Sequence, residues 1–396
     1  MDVNRRNRRI AVGILIFMTA CNLRIPITGV GSLISMISSS LSLSSGEAGA
    51  VTAIPLLAFA AVSPVVVLIS RQIGAGNLLL LSLAAMNIGI IVRSCCGNAG
   101  LFAGTVVIGL AIGVGNVLLP AIIKTYFPER IESMTSMFTV VMQVTSAAGV
   151  AVSVPVAEAA GWQWGLAFVI PMSVIAMVFC IRERKIQISS IESGKDLPGQ
   201  NKKDGIRIYR NSLSWWIAVY MGSQSLIFYS FIAWLSPIMQ DKGFDDRTAG
   251  YVLSAYVIMG FIGSAAVPFI MKRNKTQKAT AIQLGAAYSI GIAAMIIGEC
   301  FSVTFGAILL CGFCSGTMIS FAMALFGLHT RDGEDASRLS GLAQSVGYLI
   351  AAAGPVLLGK VYDVLGTWTV PLGILATVAL ALTAMSCIVG SDEIIE

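Results

Sequence analysis

Arg24 stands in Ala20-Cys21-Asn22-Leu23-Arg24-Ile25-Pro26, in the middle of an apolar run over 10–38. By helical rise it lies about 20 Å from either end of that run, too deep to reach water by stretching its side chain. It is the one charged residue expected inside the hydrocarbon. A guanidinium at that depth carries an insertion penalty of at least ~2.5 kcal/mol and faces a bundle interior or a wet cavity. With no intramembrane carboxylate to pair with, it points to an anionic or electron-rich ligand. The alternative is a structural arginine bonded to helix carbonyls.

Other polar groups fall at helical spacing and could line a transport cavity. Thr28 and Gly31 share a face with Arg24, while Asn22 points elsewhere unless Pro26 breaks the helix. Asn116 shares a face with Gly113 and Pro120, and Gln143 with Ala147. Tyr220 and Gln224 stand at i, i+4, followed by Tyr229 and Trp234; Gln344 and Tyr348 repeat the pair in reverse order. Amides and phenols at such places serve either as substrate contacts or as glue between helices.

Several chemistries are set aside. All 20 acidic residues fall in loops or at segment ends, Glu47, Glu158 and Asp363 being the nearest to the membrane, and His329 is read as a solvated loop residue. The coupling ion is therefore left open. Cys311-x-x-Cys314 has redox or metal spacing but no further ligands, and is read as helix packing. Gly109 to Asn116 resembles a phosphate loop, yet no strand precedes it and no Lys-Ser/Thr follows, so nucleotide binding is excluded. The apolar segments hold no nucleophile triad, paired carboxylates or metal cluster. Neither enzyme activity, nor a cofactor, nor a metal is expected.

The elements that position these residues are read from composition. The chain is 56% hydrophobic and 12% charged, with mean hydropathy +0.83; soluble domains carry about 25% charged residues. Twelve apolar segments are long enough to span a bilayer: 10–38, 47–69, 77–93, 101–123, 133–156, 164–181, 213–239, 248–271, 279–297, 302–327, 339–359 and 368–390. Spans of this length satisfy their own backbone only as helices, so the fold class is an all-α membrane protein. With the N-terminus inside, 21 of the 26 basic residues fall on the cytoplasmic side and four outside, Arg93 among the four. That asymmetry sets both termini in the cytoplasm and explains the net charge of +6 without nucleic-acid binding. The expected location is a bacterial-type plasma (inner) membrane. Arg8-Arg9, an apolar run and Met18-Thr19-Ala20-Cys21 mimic a secretory signal, but the run continues past Cys21, so an uncleaved helix is expected.

The twelve segments divide into a bundle over 1–181, a polar cytoplasmic linker over 182–212 and a bundle over 213–396. Ala147-Ala148-Gly149, Glu158 and Gly161 recur as Ala352-Ala353-Gly354, Asp363 and Gly366 at an offset of 205. Ala48-Gly49, Pro64 and Arg71 parallel Ala249-Gly250, Pro268 and Lys272 at an offset near 201. Gly109-x-x-x-Gly113 and Gly312-x-x-x-Gly316 fall at matching places. Two pseudo-symmetric six-helix bundles running in parallel describe the major facilitator architecture.

The motifs are similar to one family within it. Asn22-Leu23-Arg24, Gly113-x-Gly115-Asn116-Val117-Leu118-Leu119-Pro120 with Ile123-Lys124 and Phe127-Pro128, Trp234-Leu235-x-Pro237, and Ser340-Gly341-x-x-Gln344-Ser345-Val346-Gly347-Tyr348 with Gly354-Pro355 resemble the cyanate permease and 2-nitroimidazole transporter family, the nitroimidazole branch more closely. The resemblance implies a secondary transporter for a cyanate-like anion or a nitroimidazole-like heterocycle. One departure concerns the loop after the second span. The superfamily pattern carries an Asp there, but Ser70-Arg71-Gln72-Ile73-Gly74 keeps Arg and Gly without it, so the gate it serves must be stabilised differently.

The expected protein is a monomeric alternating-access transporter of a small anionic or polar aromatic substrate, with Arg24 as anchor. A broad multidrug exporter would favour an acidic or purely apolar cavity. A non-transporting membrane sensor would be expected to append a signalling domain, where only Ser391 to Glu396 follow the last span.

Overall fold

A computed structural model describes residues 2–43, 45–182, 207–244, 246–274, 276–298, 300–391 and 393–395. Most of the expected 182–212 linker lies outside the described residues. The described chain forms α1 (Asp2–Asn22), α2 (Ile25–Leu41), α3 (Ser45–Ile73), α4 (Ala75–Cys95), α5 (Gly97–Tyr126), α6 (Ile131–Ala160), α7 (Trp162–Ala167), α8 (Ile170–Arg182), α9 (Ser212–Asp241), α10 (Asp246–Arg273), α11 (Gln277–Ile297), α12 (Phe301–Leu328), α13 (Gly333–Leu365) and α14 (Thr369–Val389). These supply twelve membrane-length apolar spans, α1 with the start of α2 forming one and α7 with α8 another. The all-α, twelve-span expectation holds.

The first span is broken. Pro26 has no N–H, and its ring crowds the carbonyl four residues back. The helix stops at Asn22 and restarts at Ile25, with Arg24 as the residue before it at φ −116°. Asn22 turns its side-chain amide back to the Met18 carbonyl at 2.8 Å and is fully buried.

The chain packs as two compact units. One comprises residues 1–131, 141–197 and 332–341; the other comprises 132–140, 198–331 and 342–396. Glycines set the closest helix approaches inside each. In the first unit, a Cβ on Gly109 would meet Ala58 at 2.7 Å, and one on Gly113 would run into Val62, so α5 lies hard against α3. In the second, a Cβ on Gly312 would overlap the Tyr256 carbonyl, and one on Gly316 the Gly260 backbone, so α12 lies equally close to α10. The matched glycine pairs thus perform the same job in both units, which fits an internal duplication. Cys311 and Cys314 are buried in α12, Cys311 at the point where α11 exposes Gly291.

His329 is not a solvated loop residue. It is 1% exposed, with Nδ1 2.6 Å from the Glu393 carbonyl and Nε2 2.9 Å from the Val389 carbonyl, while its own carbonyl accepts from the Ile395 N–H. The tail folds back over the end of α12, a contact between segments some 60 residues apart that loop composition does not report.

Gly316→Ala should destabilise the protein by about 1–3 kcal/mol, because the new methyl meets backbone that cannot rotate away. Gly306→Ala, on the same helix, has nothing within 4 Å of the added methyl and should be neutral or stabilising. Thermal melting of both purified variants checks this; equal effects would mean the α10–α12 seam is not set by backbone contact.

Candidate functional site

In the first unit, polar groups gather where the first span breaks. Leu23 lies under Gly115 of α5, where a Cβ would come within 2.6 Å of its Cδ2, and Ile25 lies under Gly149 of α6 at the same distance. The two glycines let α5 and α6 close on either side of residues 23–25. Arg24 is half-buried at the N-cap of α2, in the two-residue interruption between α1 and α2. Its carbonyl accepts from the Ile27 and Thr28 N–H groups and from the Thr28 hydroxyl at 3.1 Å. The Ser146 hydroxyl of α6 donates to Thr28 Oγ1 at 3.1 Å, tying this corner together. Asn116, one residue from Gly115, is buried, as is Gln143, one turn before Ser146. Thr28, Asn116 and Gln143 are thus carried by elements packed around Arg24. Asn22 is buried at the end of α1 with its amide turned back to its own helix.

In the second unit, Gly222 of α9 and Gly347 of α13 meet, a Cβ on Gly222 lying 3.0 Å from Gly347 Cα. This crossing sits between the members of both i, i+4 pairs, so it brings Tyr220, Gln224, Gln344 and Tyr348 to one level. All four are buried. Tyr220 packs edge-on to Phe321, centroids 6.3 Å apart, and Gln224 donates to Ser225 Oγ at 2.7 Å. Tyr229 is half-buried beside Phe228. Trp234 lies away from the crossing: its indole N–H donates to the Pro355 carbonyl at 2.8 Å, its ring covers Gly359, and Trp368 is 5.2 Å away.

Arg93, the last residue of the third expected span and counted on the outside, occupies the last turn of α4 and is 1% exposed, a burial that its place at the end of a span did not indicate. A signal was present: Leu79, Leu83, Met86, Gly89 or Ile90, and Arg93 follow one buried stripe at helical spacing.

A family model, Major Facilitator Superfamily, matches residues 11–355. The chain belongs to this superfamily. It is 34% identical to an uncharacterised transporter, YycB, of Bacillus subtilis (strain 168), over 96% of this chain and 93% of that one. It is 32% identical to the 2-nitroimidazole transporter of Escherichia coli (strain K12), over 99% of this chain and 98% of that one, in line with the motif resemblance. Among solved structures, the proton:xylose symporter XylE superposes with a TM-score of 0.79 at 9% identity, covering 96% of this chain and 95% of that one, and so shares the fold. The protein is a multi-pass membrane transporter of the major facilitator type and not an enzyme; such transporters carry small-molecule substrates.

The superfamily loop that lacks its Asp finds another acid. Arg71 forms an ion pair with Glu334, at the start of α13, within the first unit. Glu334 also accepts from Arg338 one turn on, and Arg338 donates to Asp335 at 2.8 Å. Asp332 caps the helix by accepting from the Glu334 and Asp335 N–H groups, both at 2.9 Å. Next to this network, a Cβ on Gly341 would meet the Ser63 carbonyl of α3 at 2.8 Å, so α13 begins pressed against α3.

Burial decides which member of this network matters. Arg71 is 36% exposed, whereas Glu334 is 16% and Arg338 6% exposed. Glu334→Gln removes the acid shared by two arginines and should lower stability by about 1–3 kcal/mol. Arg71→Gln leaves the Glu334–Arg338 pair intact and should change stability by less than about 1 kcal/mol. Melting of the two variants at low and high salt checks the order; an Arg71→Gln effect equal to or larger than that of Glu334→Gln would reverse it.

Proposed function

We propose that the protein moves a small anion or small polar heterocycle, cyanate-like or nitroimidazole-like, by alternating access, with Arg24 as the substrate anchor. The observation that carries this is the broken first span. A half-buried arginine stands at the two-residue interruption between α1 and α2, and its neighbours Leu23 and Ile25 are seated on Gly115 and Gly149 of two other helices. Broken helices at mid-depth are where transporters of several folds bind charged substrates. The similarity to a 2-nitroimidazole transporter along nearly the whole chain supports a planar, electron-rich substrate.

In this proposal Thr28, Asn116 and Gln143 serve Arg24 as neighbouring hydrogen-bond groups. Tyr220, Gln224, Gln344 and Tyr348 form the polar set of the other half, with Tyr229 and Trp234 as its aromatic surfaces. The moving bodies are the halves 1–181 and 213–396 joined by the 182–212 linker. The protein sits as a monomer in a bacterial inner membrane with both termini cytoplasmic, as the distribution of basic residues favours.

The anchor is tested on purified protein with 2-nitroimidazole and sodium cyanate as probes, reading the rise in melting temperature on binding. Arg24→Leu should lose that rise and keep its apo melting temperature. Arg24→Lys should recover little of it, since an ammonium restores charge without the planar fork. An Arg24→Leu variant that still responds as the wild type removes Arg24 from the site.

A further inference from the structure

Arg93 carries more hydrogen-bonding capacity than its surroundings use. Its Nη1 donates to the Pro26 carbonyl at 2.6 Å. Its Nε and Nη2, both buried, have no hydrogen-bond partner among the described residues. Among the described residues no carboxylate pairs with Arg93. A guanidinium out of water with two of its three nitrogens unanswered is strongly unfavourable unless an acceptor arrives.

The two idle nitrogens are chemically specific. Nε and Nη2 lie along one edge of the planar guanidinium, and their N–H bonds run parallel. That edge takes two oxygens of one planar group in a bidentate pair. A linear anion offers it a single acceptor. A second idle donor lies at the same end of the unit: Trp162 Nε1 is buried and also has no partner. Trp162 packs in one cluster with Val30 and Leu101. Val30 is one turn beyond Pro26, which Arg93 grips, and Leu101 is one turn before Gly104, where a Cβ would come within 2.6 Å of Arg93 Cβ. Gly104 is thus the place where α5 gives up a side chain to admit Arg93.

We propose that Arg93 is a second anion-binding group, taking planar two-oxygen anions such as carboxylates or nitrate through its Nε–Nη2 edge, with the Trp162 indole N–H as a further donor. It deepens the transport proposal by naming a substrate class, and its binding step stands apart from Arg24. Because Arg93 also holds the Pro26 carbonyl through Nη1, its guanidinium links such an anion to the segment that carries Arg24 two residues earlier.

The test uses the full chain purified in detergent, with sodium nitrate and sodium formate as two-oxygen probes and sodium azide as the linear one. Melting temperature is followed against concentration at constant ionic strength. The wild type should respond to nitrate and formate at concentrations about tenfold lower than to azide. Arg93→Lys, which keeps the charge without the planar edge, should lose that preference, while Arg24→Leu should keep it. Trp162→Phe, which removes one N–H from a packed ring, should weaken the nitrate response about threefold, and it decides the matter if Arg93→Lys fails to fold. A wild type that does not distinguish nitrate from azide, an Arg93→Lys variant with wild-type preference, or an unchanged Trp162→Phe variant beside an unfolded Arg93→Lys would each overturn the assignment. Loss of the preference in Arg24→Leu instead would move the two-oxygen site to Arg24 and leave the transport proposal standing.

Discussion

The break between Asn22 and Ile25 is the constraint on which the first unit is organised. Pro26 supplies no N–H to the ladder, and polar side chains gather on the carbonyls around it. Thr28 bonds back to the Arg24 carbonyl and is itself bonded by Ser146; Asn22 bonds back to Met18; Arg93 reaches from α4 to the Pro26 carbonyl. Gly115 and Gly149 then allow two neighbouring helices to close over Leu23 and Ile25. Arg24 sits at the interruption itself, as the N-cap of α2.

The same economy of side-chain volume runs through both units. Helices in a membrane gain little from burying apolar surface against one another, since lipid is as apolar as leucine. Close backbone approach has to be built from residues without side chains. Gly109 and Gly113 seat α5 on α3, Gly312 and Gly316 seat α12 on α10, and Gly222 and Gly347 bring α9 to α13. The last crossing determines that two polar pairs far apart in sequence share a level. The repeat of the α5–α3 arrangement as α12–α10 is what an internal duplication would leave behind.

Charge is handled in two ways. At one end of the first unit, Arg71, Glu334, Arg338, Asp335 and Asp332 form a network partly open to water. It replaces the Asp missing after the second span with an acid from a helix more than 260 residues later. At the opposite end of α4, Arg93 is buried with one carbonyl as partner. In the first arrangement Arg71, Glu334, Arg338 and Asp335 each have a partner of opposite charge; in the second, two guanidinium nitrogens keep no protein partner among the described residues.

Composition and hydropathy alone determined the class, the twelve spans and the helical fold, because apolar runs of bilayer length admit no other way of satisfying their backbone. The internal repeat was equally legible, since small residues at fixed spacing survive as a pattern. Individual sites were less so. Arg24 announced itself by being charged where charge is costly, yet sequence could not say that Pro26 would break its helix, for Pro55, Pro64 and Pro120 lie within helices that run on. Arg93 was hidden by its place at the end of a span, although its position on the buried stripe of α4 was readable in retrospect. The partner of Arg71, the anchoring of the tail by His329 and the meeting of Gly222 with Gly347 were decided by tertiary structure only. Each joins segments between 60 and 263 residues apart, and local periodicity carries no information about which distant backbone will arrive beside it.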